Sequence, residues 1–189
     1  MCPFRHGGLD VSEEVTDVLV FPSVGTLIYW HCKISAVVLG AGGSARAVVF
    51  GLIERGVARI HLVNRTRDRA QALAQRFGAA VVPARWEEAS ALLGGAGLLV
   101  NSTSLGMKGQ PPLAIDVGLL PPQAVVADLV YLPLVTPLLA AARARGLATA
   151  DGLGMLLHQA VRGFSLWFGV RPAVTAELRA LVEADLAAS

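Results

Sequence analysis

The glycine-rich stretch at residues 40–45, GAGGSA, carries the clearest chemical signal in the chain. It follows an apolar run at 34–39 and leads directly into a segment with helical spacing at 44–55. In such a strand–turn–helix, Gly40 permits the tight turn and Gly42 lets a pyrophosphate approach the backbone, while the free N–H groups of the helix face the phosphates. A glycine turn with only a structural role is the alternative. We expect a dinucleotide to bind the backbone of Gly40, Ala41, Gly42, Gly43 and Ser44.

The end of the second predicted strand, at residues 64–69 (NRTRDR), indicates which dinucleotide this is. An acidic residue at this position accepts hydrogen bonds from the ribose 2′-OH of NAD and would repel a 2′-phosphate. The chain has a neutral asparagine there, followed by arginines whose planar guanidinium groups suit phosphate. The alternative is a solvated helix start in which the threonine is only a cap. The pattern favours NADP as the cofactor, bound by Asn64, Arg65, Thr66, Arg67 and Arg69.

The remaining pattern alternates short β-branched runs with longer helical segments, which predicts βαβ units and a Rossmann-type, doubly wound, mostly parallel sheet with C-terminal helices. Asn101 and Asp128 fall at the carboxyl ends of predicted strands, the edge where open α/β sheets bind ligands. The predicted strands are 34–39, 59–63, 80–83, 98–101 and 124–129, and the predicted helices are 44–55, 68–77, 86–93, 137–145, 152–168 and 174–188.

Composition excludes several classes of function. The 189 residues are 54% apolar and 16% charged with a net charge of +2, and they show no basic stripe, so nucleic acid is a poor partner. Cys2 and Cys32 form no metal-binding pattern, so a metal site is not expected. The low cysteine content instead predicts a reduced, cytoplasmic setting. The apolar run at 18–30 contains Pro22 and Gly25 and is short for a bilayer, although a membrane anchor stays an alternative.

Several motifs in order resemble those of one known family, the shikimate dehydrogenases. They are NSTSLGM at 101–107, DLVYLPLVTPLLAAARARG at 128–146 and DGLGMLLHQAVRGFSLWFGVRP at 151–172, together with the glycine loop and NRTRDR. The resemblance covers about residues 36–172. It implies NADPH-dependent, reversible reduction of 3-dehydroshikimate to shikimate in aromatic amino acid and chorismate biosynthesis.

The resemblance also implies roles for residues that spacing alone would not single out. The loop after the fourth strand matches one that lies along the cofactor, and three other positions match residues close to the nicotinamide. Two more match the contacts that this domain makes with shikimate, although each would otherwise pass as an ordinary core or surface residue. The cofactor positions are Asn101, Ser102, Thr103, Leu129, Gly152 and Met155, and the substrate positions are Tyr131 and Gln159.

Residues 1–33 fit neither the alternation nor the family. Members of the family resemble one another in having an N-terminal domain with most shikimate contacts and a catalytic lysine–aspartate pair. Neither Lys33 nor Asp10 lies in a matching motif, so we assign no catalytic residue and leave 1–33 unassigned beside an NADP-binding domain at 34–189. A truncated enzyme, association as a homodimer or with a partner chain, a quinate-type dehydrogenase and a non-catalytic NADPH-binding module all stay open.

Overall fold

A computed structural model describes residues 34–188, and these form one six-stranded parallel sheet with helices on both faces. The strand order is β3-β2-β1-β4-β5-β6. The order reverses between β1 and β4, and doubly wound sheets of this kind bind ligands in the crevice at that reversal. The strands are β1 (Ser35–Leu39), β2 (Arg59–Asn64), β3 (Val81–Arg85), β4 (Ala96–Asn101), β5 (Val125–Asp128) and β6 (Ala148–Ala150).

Two hydrophobic clusters, one on each face of the sheet, hold the helices in place. Successive residues of β1 enter opposite clusters, as the twofold repeat of a strand requires. The first cluster receives the apolar sides of α1 and α2, and the second those of α3 and α4. The helices are α1 (Gly43–Glu54), α2 (Arg67–Phe77), α3 (Ala89–Leu93), α4 (Pro137–Ala144), α5 (Gly152–Phe168) and α6 (Ala176–Ala188).

The predicted fold class is confirmed, and two local predictions are wrong. Strand β6 was not predicted, because Ala148–Ala150 is only three residues long and two of them are alanines. The helix predicted over 86–93 is divided into a 3₁₀ turn, Trp86–Glu88, and the short helix α3. The carboxylate of Glu88 accepts a hydrogen bond from the N–H of Arg85 (2.6 Å), which ties the start of this turn to its last residue. The segment 1–33, including the apolar run at 18–30, lies outside the described residues.

The start of α5 is pressed against the end of β5, and this contact positions the last two helices. Gly152 is fully buried, and a Cβ atom built on it would lie 2.8 Å from the carbonyl oxygen of Val130 and closer still to that of Leu129. The Asp151 side chain caps the helix, and its Oδ2 also forms a salt bridge with Nη2 of Arg179 in α6 (2.8 Å). None of the helices described between residues 34 and 188 has the length and apolarity that crossing a membrane requires.

We predict that Gly152→Ala lowers the free energy of unfolding by about 1–3 kcal/mol, the usual cost of overpacking, because backbone atoms would have to move. Urea unfolding followed by circular dichroism measures this. Gly154→Ala is the matched control: its Cβ would meet only the end of the Arg179 side chain, at 3.9 Å, and alanine is the better helix former. Equal stability of the two variants would contradict the close approach.

Candidate dinucleotide site

The turn between β1 and α1 is held by close contact with the loop after β4. Gly40 has φ +101°, which L side chains rarely adopt, and its N–H donates to the carbonyl oxygen of Val63 (2.7 Å). A Cβ on Gly40 would lie 2.9 Å from Ser102 Oγ. The Ser102 hydroxyl itself donates to the carbonyl oxygen of Leu39 (2.7 Å). Gly40 is therefore required by the protein's own packing, before any ligand is considered.

Gly42 and Gly43 differ from Gly40 in this respect. Both are exposed, and a Cβ built on either would meet no protein atom within 4 Å. Gly42 has φ −90°, so its backbone conformation does not require glycine. It is also the N-cap of α1 and makes no side-chain capping bond, so the first N–H groups of the helix remain available. This open cradle beside a helix N-terminus suits a pyrophosphate group.

A cleft of about 410 Å³ opens beside the cradle, between α1 and α2. Arg69, which the sequence predicted, lies on its wall. Two further arginines on this wall were not predicted, Arg46 on α1 and Arg76 on α2. Spacing could have found Arg76, because it follows Arg69 by seven residues and so lies on the same helix face. Arg65 and Arg67 are exposed but do not line this cleft.

The end of β2 places the remaining residues of the predicted 2′-phosphate site. The Asn64 side chain donates from Nδ2 to the carbonyl oxygen of Thr66 (2.7 Å), which closes the turn into α2. Thr66 is the N-cap of α2, but its hydroxyl makes no capping hydrogen bond. Thr66 thus begins the helix through its backbone, and its hydroxyl does not hold the helix start. Arg67 lies near Glu88, whose carboxyl pKa is lowered chiefly by the Arg85 N–H and further by the charges of Arg85 and Arg67.

The loop after β4 is folded back on itself by its own side chains. Asn101 is completely buried, and its Oδ1 accepts from both the N–H (3.1 Å) and the hydroxyl (2.7 Å) of Thr103. Its Nδ2 donates to the carbonyl oxygen of Leu105 (3.1 Å). Ser102 and Thr103 are half-buried between this turn and the glycine loop. The predicted cofactor loop thus borders the glycine cradle directly.

Asp128, at the end of β5, is fully buried and anchors this edge of the sheet. Its carboxylate accepts hydrogen bonds from Asn101 Nδ2 (2.9 Å), from the Val130 N–H (3.0 Å) and from the Thr136 hydroxyl (2.7 Å). Burial raises the pKa of this carboxyl group above its ordinary value, and the three donors partly offset the rise. Because both oxygens are engaged with the protein, we assign Asp128 a positioning role.

The residues matched to the nicotinamide come together where α5 meets β5. Leu129 is buried, and Gly152 lies against its carbonyl oxygen. Met155, one turn further along α5, packs at the edge of the first hydrophobic cluster. The two residues matched to substrate lie further out. Tyr131 is 37% exposed, and Gln159 is exposed two turns along α5. The fold therefore leaves both polar side chains accessible.

Two family models match the chain. The shikimate/quinate 5-dehydrogenase model covers residues 30–107, and the shikimate 5′-dehydrogenase C-terminal domain model covers 152–182. Curated shikimate dehydrogenases (NADP(+)) from Rhodopseudomonas palustris BisB18 and Nitrobacter hamburgensis are 74% and 75% identical over 158 and 157 residues. These alignments cover 84% and 83% of this chain but only 57% and 55% of the relatives. The chain thus spans little more than half their length.

Solved structures are similar over nearly all of the chain. The quinate dehydrogenase of Corynebacterium glutamicum, solved with NAD, matches with a TM-score of 0.78 and 35% identity, covering 89% of this chain and 62% of that one. The shikimate 5-dehydrogenase of Thermus thermophilus, solved with NADP(H) and shikimate, matches with a TM-score of 0.69 and 36% identity, covering 92% and 62%. With the motifs at 101–107, 128–146 and 151–172 in place on this fold, the chain belongs to the shikimate dehydrogenase family.

Proposed function

We propose that this chain binds NADP(H) across the crevice between β1 and β4. The observation that carries the proposal is the pairing of an open glycine cradle at Gly42 and Gly43 with an arginine-lined cleft next to a neutral Asn64. The cradle suits the pyrophosphate, and the arginines suit the 2′-phosphate that distinguishes NADP from NAD. The relatives named for NADP(+) support the same choice. When bound, this cofactor supplies or accepts the hydride.

We further propose that the whole enzyme interconverts 3-dehydroshikimate and shikimate. The names of the relatives at 74% and 75% identity support this substrate. The contribution of the described residues is to bind and orient. Tyr131 and Gln159 can both donate and accept hydrogen bonds, which suits hydroxyl and carboxylate groups of a cyclic hydroxy acid. Leu129, Gly152 and Met155 would hold the nicotinamide beside them. None of the described residues is assigned as the acid or base at the reacting hydroxyl.

Two other functions remain as alternatives with different outcomes. A quinate-type dehydrogenase is supported by the similarity to the Corynebacterium glutamicum enzyme. That enzyme is solved with NAD, whereas the neutral Asn64 and the basic cleft favour a 2′-phosphate. A non-catalytic NADPH-binding module is the second alternative, because the chain matches only 55–57% of the length of its curated relatives. Comparison of shikimate and quinate as substrates tests the first alternative, and turnover of either acid tests the second.

We infer that the protein works in the cytoplasm and that its ligand-binding edge is completed by further protein surface. The inference about location is supported by relatives that are biosynthetic enzymes. The inference about the edge is supported by exposed Tyr131 and Gln159. The aromatic rings exposed in the last turns of α5, Phe164, Trp167 and Phe168, give further protein a second apolar surface to cover. A homodimer or a partner chain would supply that surface, and sedimentation with and without NADPH distinguishes the two.

Changing Arg65 and Arg69 together to alanine should weaken NADPH binding by about 1–3 kcal/mol for each charge-assisted hydrogen bond removed. Binding of NADH, which lacks the 2′-phosphate, should change much less. Isothermal titration calorimetry with both cofactors measures the difference. Equal weakening of the two cofactors would show that these arginines do not read the 2′-phosphate.

Gly42→Val should abolish measurable NADPH binding while leaving the fold intact, because its side chain would enter the open cradle, where a Cβ meets no protein atom within 4 Å. Calorimetry gives the affinity, and circular dichroism and thermal unfolding confirm the fold. Gly94→Val is the matched control, since Gly94 also faces open space and ends α3 instead of bordering the cradle. A folded Gly42→Val protein with unchanged affinity would mean that the loop is only structural.

The proposed reaction is tested by NADP reduction, followed by absorbance of the reduced cofactor, with shikimate or quinate and a high concentration of the purified 189-residue protein. Faster turnover with shikimate supports the shikimate dehydrogenase function, and faster turnover with quinate favours the alternative substrate. If the protein binds NADPH but turns over neither, this chain acts as a cofactor-binding module in the form tested. If the protein is active, the Tyr131→Phe variant should show a higher KM for the hydroxy acid than the unchanged protein, because it loses the tyrosine hydroxyl.

A further inference from the structure

We propose that Arg46 and Arg76 join Arg69 in holding the adenosine 2′-phosphate, and so determine the preference for NADP. This inference rests on the proposed NADP site and deepens it. Neither residue lies in the two sequence stretches that predicted the cofactor contacts, the glycine loop at 40–44 and the segment 64–69. Both lie on the wall of the cleft that the glycine loop and α2 form.

The geometry brings the three side chains to one place from two helices. Arg69, Ala72, Leu73 and Arg76 follow the spacing i, i+3, i+4, i+7, so they form one face of α2, and all four line the cleft. Leu73 is buried and Ala72 is short, so the arginines are the longest side chains on this wall. Arg46 faces them from α1, one turn after Gly42, whose carbonyl oxygen accepts its N–H at 3.3 Å.

The charges in this cleft are unbalanced. No carboxylate lines it, and among the described residues none of the three guanidinium groups has a hydrogen bond or ion pair. Three cations around one cleft repel one another, and this repulsion is relieved when an anion binds between them. Guanidinium groups are also weakly hydrated and match phosphate oxygens with paired donors. Surface arginines with no ligand have no reason to line one cleft, whereas these three do.

The position of the cleft selects the 2′-phosphate over the other phosphates of the cofactor. The pyrophosphate is provided for by the exposed backbone of Gly42 and Gly43. The adenosine ribose of a dinucleotide in this fold lies at the end of the second strand, here Asn64. Helix α2 starts three residues later, at Arg67, and its cleft-facing side begins at Arg69. A phosphate on the ribose 2′ oxygen would therefore point toward this cleft.

The test is calorimetric binding of NADPH, NADH, 2′,5′-ADP and 5′-ADP to the 189-residue protein and to Arg46→Ala, Arg76→Ala and the double variant. We expect each single variant to weaken NADPH and 2′,5′-ADP binding roughly tenfold, and NADH and 5′-ADP binding less than about threefold. Arg46→Lys should retain part of the affinity for the two 2′-phosphorylated ligands, because it keeps the charge and loses the paired donors. Arg55→Ala is the control, since it removes the same charge from an exposed residue at the far end of α1, outside the cleft.

The outcomes separate this inference from the proposed function. If the unchanged protein binds NADPH no better than NADH, the proposed NADP site itself fails, and this inference with it. If the unchanged protein prefers NADPH and the double variant keeps that preference, the site stands and Arg46 and Arg76 are only surface residues. Equal losses for all four ligands, or losses matched by Arg55→Ala, would show a general effect of charge and would also overturn the inference.

Discussion

The buried carboxylate of Asp128 is the group on which the ligand-binding edge depends. A buried carboxylate without hydrogen-bond partners costs free energy. The fold therefore favours the arrangement in which all three donors reach Asp128. One donor fixes the turn after β4 through Asn101, a second fixes the chain after β5 through the Val130 N–H, and the third, Thr136, caps α4. A single charge thus sets the course of three chain segments at one end of the sheet. The loop that contacts Gly40 and the segment that contacts Gly152 both start from these points.

Much of this could be predicted from sequence, because it depends on patterns that are local along the chain. The strand–glycine–helix at 34–55 predicted β1 and α1 to within a residue or two, and the position of Asn64 after a β-branched run predicted the end of β2. Asn101 and Asp128 were expected at the same edge because parallel strands end together. Their hydrogen bond was not predicted, since it depends on the register of β4 and β5 across 27 residues of chain. The missed strand β6 is set by pairing with β5, not by its own three residues.

The arginines of the candidate cofactor site show the same limit of prediction from local sequence patterns. Sequence reasoning found those that follow β2 directly, because a known strand end marks their place. It could not find Arg46 and Arg76 together, since they reach one cleft only after α1 and α2 pack side by side on the sheet. Conversely, Arg65 and Arg67 are close to Arg69 in sequence but lie outside the cleft wall. Arg65 precedes α2, and Arg67, two residues before Arg69, lies on a different face of that helix. Proximity along the chain is therefore a weak guide to which cations line one cleft.

The two halves of the candidate site differ in how complete they are. On the cofactor side, the glycine cradle, the loop after β4 and the arginine cleft all lie within the described residues. The glycine turn and the loop after β4 also brace one another through Gly40 and Ser102. On the substrate side, the residues matched to the family are exposed, and only Gly152 and Leu129 beneath them are buried. Binding a hydroxy acid with high specificity requires that its polar groups be desolvated and paired from several directions. Two exposed side chains cannot do this. Under the proposed function, cofactor affinity should therefore be a property of this domain, whereas substrate specificity would require additional protein surface over Tyr131 and Gln159.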